Sequence, residues 1–355
     1  MKKHIALCII FLFTSATPLP PSAIIKAAHT ILEPSTAADK SAWKQLQPLR
    51  LKLPNIGLSG SFSHRNSDKP HPFDPEYARV RSLLVTQHDA VPLRVTADDG
   101  QELAVLAHIR PEATTTLLFF NGYFDHLTPR KEWAAPFVAM FPDCNIVMSD
   151  WRHVGESANA KGDCASFGKN AHHDVVALLR LCRTHEAFKD TTLVAHSYCL
   201  GAAILLNTLV NHLPNPLLLP DALNLSSVPA KISDLEHTYH LGNPSWLFRT
   251  FFSIPPIRSY CFKKSVTSEI RVLEPAALLK QLSIPCNLEY CITGDRMIPL
   301  ELSIPATYEE KLPANIHLTL AKKSRHVRLQ TMADQYVRAQ KRFWEKVILT
   351  SSDPN

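Results

Sequence analysis

The chain has 355 residues, of which 45% are apolar, so it can bury a large core, and its length allows one or two domains. Its net charge of +6 is spread out: Lys263-Lys264 and Lys322-Lys323 are short and far apart, which argues against a nucleic-acid groove and for an ordinary solvated surface. Twenty-seven Pro against ten Gly suggest rigid loops rather than a flexible chain.

The first residues carry an address. Lys2, Lys3 and His4 precede an apolar run from Ile5 to Phe13, and the small residues Thr14, Ser15 and Ala16 follow. That order is the pattern of a secretory signal peptide within residues 1–23, ending at Ala16 or Ala23. The run is shorter than the ~20 residues a spanning helix needs, so an exported protein is expected: periplasmic, secreted or membrane-associated. Residues 24–81 are Pro-rich and read as an irregular N-terminal extension, leaving 82–355 as the folded domain. Beyond Cys8 there are seven cysteines, an odd number with no metal-binding spacing. Export permits disulfides, and buried thiols explain several of these cysteines equally well.

From residue 93 onward short apolar runs alternate with helical periods. Strands are expected at 93–96, 102–109, 115–120, 145–149, 191–195, 223–227, 287–292 and 316–321. Helices are expected at 171–183, 200–213 and 330–349. This alternation predicts an α/β fold, a mostly parallel sheet flanked by helices. Between 229 and 280 the pattern turns aromatic and Pro-interrupted, as an inserted helical cap would be.

The stretch Thr191 to Gly201, TTLVAHSYCLG, carries the chemistry. A strand running into Ser197 and then into a helix has the layout of a nucleophile elbow, with Ala195 and Cys199 as the small residues two before and two after. A Ser hydroxyl needs a base, and the base an orienting acid. Asp295, in TGDRMIP, and His326, in KKSRHVRL, each follow an expected strand, in the chain order Ser, Asp, His. Backbone N–H groups of Tyr198 and of Tyr123, in NGYFDH, would form the oxyanion hole. His172, His173 and His185 have no partner at metal-ligand spacing, so no metal is assigned, and the chemistry needs no cofactor.

From about Arg94 to its end the chain resembles the α/β-hydrolase superfamily, and within it the monoacylglycerol lipase and lysophospholipase-like branch. Asn121 to His126 stands where that branch has a His-Gly oxyanion loop, and Asp150 to Ser157 resembles its Asp-x-Arg-Gly-x-Gly-x-Ser loop. Asp295 to Pro299 is similar to its acid-bearing turn, and His326 to its late histidine. The departures are Asn121 for His, His153 for Gly, and Ala195 with Cys199 at the elbow. Asp150 and Arg152 are read as a structural pair buttressing the oxyanion loop, and His196 as packing under the elbow helix.

The resemblance implies hydrolysis of carboxylic esters through an acyl-enzyme. The cap and mouth aromatics, among them Phe124, Trp246 and Phe251, would suit lipid-like substrates of acylglycerol or lysophospholipid type and contact with a membrane surface. Two alternatives stand beside this: an acyltransferase or thioesterase using the same triad, and a non-catalytic member that binds lipid or a partner protein. Oligomeric state has no signature in the sequence.

Overall fold

The computed structural model describes residues 20–33, 85, 89–122, 138, 140–152, 157, 170–238, 253–308, 311–323 and 333–351. Nine strands among them form one sheet. They are β1 (Thr30–Leu32), β2 (Ala90–Thr96), β3 (Glu102–His108), β4 (Thr115–Phe120), β5 (Asn145–Ser149), β6 (Thr192–Tyr198), β7 (Ala222–Ser226), β8 (Cys286–Thr293) and β9 (Ile316–Lys323). Their order across the sheet is β1-β9-β8-β7-β6-β4-β5-β3-β2. β3 runs antiparallel to both its neighbours, and the other pairings are parallel. The expected α/β architecture with a mostly parallel sheet is therefore present.

Every residue of β4, β5 and β7 is buried, as strands covered by helices on both faces require. The helices that matter below are α1 (Pro21–Lys26), α2 (Ala171–Thr184), α3 (Cys199–Asn211), α4 (Pro255–Ser265), α5 (Pro275–Leu279) and α6 (Ala333–Ser351). α3 is apolar nearly all round and buried from Cys199 to Leu206, packed against α2 and α5. β4 hands the chain to β5 on one side, while β6 hands it to β7 on the other. The crevice at the carboxyl ends of β4 and β6 is thus the switch point where ligands bind in open α/β sheets.

Three expectations change. The central strand expected at 191–195 continues through His196, Ser197 and Tyr198. Residues 24–81 are not irregular throughout, because β1 pairs Thr30, Ile31 and Leu32 with Thr319, Leu320 and Ala321 of β9. Part of the expected cap belongs to the main body, since α5 packs on α3. Trp246 and Phe251, placed in that cap, lie outside the described residues, as do Tyr123, Phe124 and His326.

Candidate active site

The longer β6 moves the elbow. Ser197 lies inside the strand, paired in register with Phe120 of β4 and Leu225 of β7, and it is fully buried. Its hydroxyl donates to the carbonyl of Phe120 at 3.1 Å. Tyr198 is still extended, with φ −145° and ψ 156°, and the chain then reverses at Cys199, whose φ is +52°. A left-handed φ is costly for a residue with a Cβ, and such strain gathers where function demands a geometry. The elbow, expected at Ser197, is therefore centred on Cys199. The N–H that follows the turn belongs to Leu200, in the first turn of α3, and not to Tyr198.

The neighbours of Cys199 fit this reading. Two before it stands Ser197, and two after it stands Gly201. A Cβ built on Gly201 would lie 2.1 Å from the carbonyl oxygen of Asn121, so no other residue fits without moving backbone. A Cβ on Gly122 would meet the Tyr198 ring at 2.5 Å and the Cys199 Cβ at 3.5 Å. The corner after β4 thus rests directly on the turn after β6.

That corner is held from three directions. The indole N–H of Trp151 donates to Asn121 O at 2.7 Å. The Asn121 side-chain amide donates to Ser149 O at 3.1 Å, and Ser197 holds Phe120 O. Asn121, a departure from the usual His, is here a brace between β4 and β5. Arg152 does not pair with Asp150 as expected. Its guanidinium reaches Asp174 through Nε at 2.8 Å and Asp99 through Nη1 at 2.6 Å, tying α2 to the β2–β3 turn. Trp151 touches the corner itself.

Asp295 follows β8 and Gly294, whose φ is +106°. Its Oδ1 accepts backbone N–H bonds from Met297 at 3.0 Å and Ile298 at 2.9 Å, which fixes the orientation of the carboxylate. β8 lies two strands from β6, about 10 Å at ordinary strand spacing, a gap that one imidazole and its partner side chains bridge. β9 is parallel to β8, so Lys323 ends at the same carboxyl edge, and the stretch bearing His326 departs from there.

His196 is no base. It is buried, stacked on Phe119 at 4.3 Å, 2.6 Å from the Asn224 amide through Nδ1, and burial pulls its imidazole down to about 3. Burial also pushes the Cys144 thiol up to about 11 and that of Cys182 up to about 12, so neither supplies a thiolate near neutrality. Among the described residues no cluster of His, Cys, Asp and Glu could hold a metal ion. The turn at Cys199, the N–H of Leu200 that follows it and the bracing of the corner by Trp151 differ from what the local sequence implies. Gly201, two residues past a small polar residue, a cysteine and their spacer, was the signal for the first two.

No protein-family model matches the chain, and no curated protein matches it significantly. Solved structures do. The Pyrococcus furiosus esterase Pf2001 is 14% identical over 73% of this chain and 92% of its own, with a TM-score of 0.56. A membrane phospholipase A, described as a bacterial virulence factor, is 15% identical over 76% of this chain and 91% of its own, with a TM-score of 0.53. DcsB, bound to a substrate analogue, is 9% identical over 72% and 99%, with a TM-score of 0.54. Together with the sheet order, the antiparallel β3 and the sharp turn after β6, these likenesses show that the chain has the α/β-hydrolase fold.

Proposed function

We propose that this protein is an acyl hydrolase whose nucleophile is the thiol of Cys199, in place of Ser197, with His326 as base and Asp295 as the acid that orients it. The observation that carries this reading is the left-handed turn at Cys199, set at the carboxyl end of the central strand against the corner after β4. Such a turn lifts the side chain clear of the helix that follows, where a carbonyl carbon can reach it. Ser197 lies two residues earlier inside the sheet, with its hydroxyl already committed to Phe120 O.

The parts then take these roles. Cys199 Sγ attacks the acyl carbon, and its proton passes to His326. The Leu200 N–H, joined by the Tyr123 N–H expected from the sequence, faces the developing oxyanion; donors of this kind are worth about 10²–10³ in kcat. His326 protonates the leaving group, and water then hydrolyses the acyl-enzyme. Substrates with apolar acyl groups fit the aromatic content expected around the mouth, with Phe124, Trp246 and Phe251 as the acyl contacts, and the esterase and phospholipase neighbours are consistent with an acyl substrate. Export rests on the basic, apolar and small pattern of residues 1–16.

The decisive experiment is intact-mass analysis during turnover of an activated ester, with peptide mapping of the adduct. An acyl adduct on Cys199, lost with activity in Cys199→Ala and kept in Ser197→Ala, is expected. Asp295→Asn should lower kcat steeply, by up to about 10⁴ as where such an acid has been replaced in another triad. Activity that survives Cys199→Ala and dies in a folded Ser197→Ala would return the nucleophile to Ser197. No adduct and no turnover on any ester would favour a binding member instead.

A further inference from the structure

The assignment of Cys199 constrains the acyl donor. Resting on that assignment, we propose that the donors this site is built for are acyl thioesters, in which the acyl group rides on the sulfur of another molecule, rather than carboxylic oxoesters.

The reason lies in how the tetrahedral intermediate collapses. Attack by the Cys199 thiolate forms a carbon–sulfur bond and places the negative charge on the carbonyl oxygen. The intermediate then expels one of two groups. A thiol ionises near 8.5, whereas an alcohol, like water, is a far weaker acid and its anion a far poorer leaving group. With an oxoester the better leaving group is Cys199 itself, so most intermediates revert to substrate. With a thioester the two sulfurs leave about equally well, and the exchange is close to balanced. An elbow serine would have had an even partition for oxoesters, and a serine stands only two residues away. Its hydroxyl is fully buried and bonded to Phe120 O, so it offers no oxygen nucleophile to this site.

The step balances without any outside reactant. The new bond joins Cys199 Sγ to the acyl carbon, and the bond to the departing sulfur breaks with its electron pair. The proton first taken from the Cys199 thiol goes to that sulfur, which leaves as a thiol. Water then adds to the Cys199 thioester, releasing the acid and restoring the thiol.

A second observation concerns the same carboxyl edge. Ser226, the last residue of β7, pairs with Tyr198, and Ser227 follows it just beyond the carboxyl edge of the sheet, as Cys199 follows Tyr198. Ser227 is fully buried, has φ +50°, and its hydroxyl makes no hydrogen bond among the described residues. Buried hydroxyls are nearly always bonded, and an orphan hydroxyl one residue past the strand beside β6 is a group that a ligand entering at that edge could satisfy.

The test uses the full chain and a pair of substrates that differ by one atom: the octanoyl thioester of N-acetylcysteamine and its oxygen counterpart, the octanoyl ester of N-acetylethanolamine. A kcat/KM about 100-fold higher for the thioester is expected, and Cys199→Ser should bring that ratio down to near one. An octanoyl-coenzyme A arm distinguishes a nucleotide-borne thiol from a shorter one, and preference for either thioester over the oxoester supports the proposal. If the wild-type protein turns over the oxoester as well as the thioester while the acyl adduct still maps to Cys199, the donor proposal fails and the nucleophile stands. An adduct that maps elsewhere, with Cys199→Ala still active, removes both. The wild-type ratio decides the matter even if Cys199→Ser does not fold.

Discussion

Gly201 and Asn121 meet backbone to backbone: a Cβ on the glycine would stand 2.1 Å from the asparagine carbonyl oxygen. The first turn of α3 and the corner after β4 are therefore a single contact, and the corner is further pinned by Trp151. Gly201→Ala must push the two apart. Overpacking of this kind costs about 1–3 kcal/mol, measurable by urea unfolding. The larger effect should fall on kcat, by about 10²–10³ with KM little changed, because the proposed oxyanion donor Tyr123 directly follows the displaced corner in sequence. A folded Gly201→Ala protein with wild-type kcat would show that the corner takes no part in the chemistry.

Ser197→Ala should behave in the opposite way. With Cys199 as the proposed nucleophile, the hydroxyl is left to anchor Phe120 O, and its loss leaves one buried carbonyl short of a donor, at a cost of about 1–3 kcal/mol. The rate should stay within the same order of magnitude as wild type. Thermal unfolding alongside initial rates separates the two effects. A stable protein with no activity would be the contrary result.

Those two residues also show how far the sequence could be read. β4 and β5 start and stop where their apolar runs do, and Asp295 lies after β8 as its motif implied. β6 runs past residue 195 although His196 and Ser197 are polar, and polar residues usually end a buried strand. Here each has a buried partner: His196 lies 2.6 Å from Asn224 and stacks on Phe119, and Ser197 bonds to Phe120 O. The strand therefore runs three residues further, and the turn falls on Cys199. Such satisfaction comes from neighbouring strands far away in sequence, which no local pattern reveals. β1 escaped for the same reason. Three residues in a Pro-rich stretch become a strand only because the edge of β9, nearly 290 residues later, is open to them.

A pH-dependent stability should follow from Glu289. It is fully buried in β8, bonded by Gln340, by Asn287 at 3.2 Å and by Tyr336 at 3.3 Å, and burial pushes its carboxyl up to about 7. The unfolded chain ionises near 4.5, so between about 4.5 and 7 the folded state holds a proton that the unfolded state has lost. Stability contributed by the neutral acid is thus present at low pH and declines as pH rises to about 7, a change on the order of 3 kcal/mol. His196 works the other way: its pKa is held near 3, so it weakens the fold as pH drops below 6.5. Comparison with a variant isolates Glu289. Glu289→Gln mimics the neutral acid, keeping an oxygen for Gln340 and a donor for Tyr336. It should equal wild type at pH 5 and exceed it at pH 8 in urea unfolding. A wild-type-to-variant gap that does not change with pH would mean the carboxyl is not neutral in the fold.

The N-terminus makes the last prediction. β1 lies on β9, the His29 N–H bonds to Leu318 O at 2.8 Å, and Leu318 N–H returns a bond to His29 Nδ1 at 3.0 Å. Ile24 of α1 and Leu32 of β1 are both part of the core. The Ala27 N–H caps α1 on the carbonyl of Ala23, at 3.1 Å. Cleavage after Ala23 would remove the first turn of α1 together with that carbonyl, whereas cleavage after Ala16 leaves α1 and β1 whole. With export as proposed, mass spectrometry of the mature protein should therefore find a start at residue 17. A purified chain starting at 17 should unfold at the same urea concentration as the longest soluble form, and Leu32→Ala in it should cost about 2–5 kcal/mol. A mature chain that begins at residue 24, with stability unchanged by Leu32→Ala, would show that α1 and β1 are ornament rather than part of the fold.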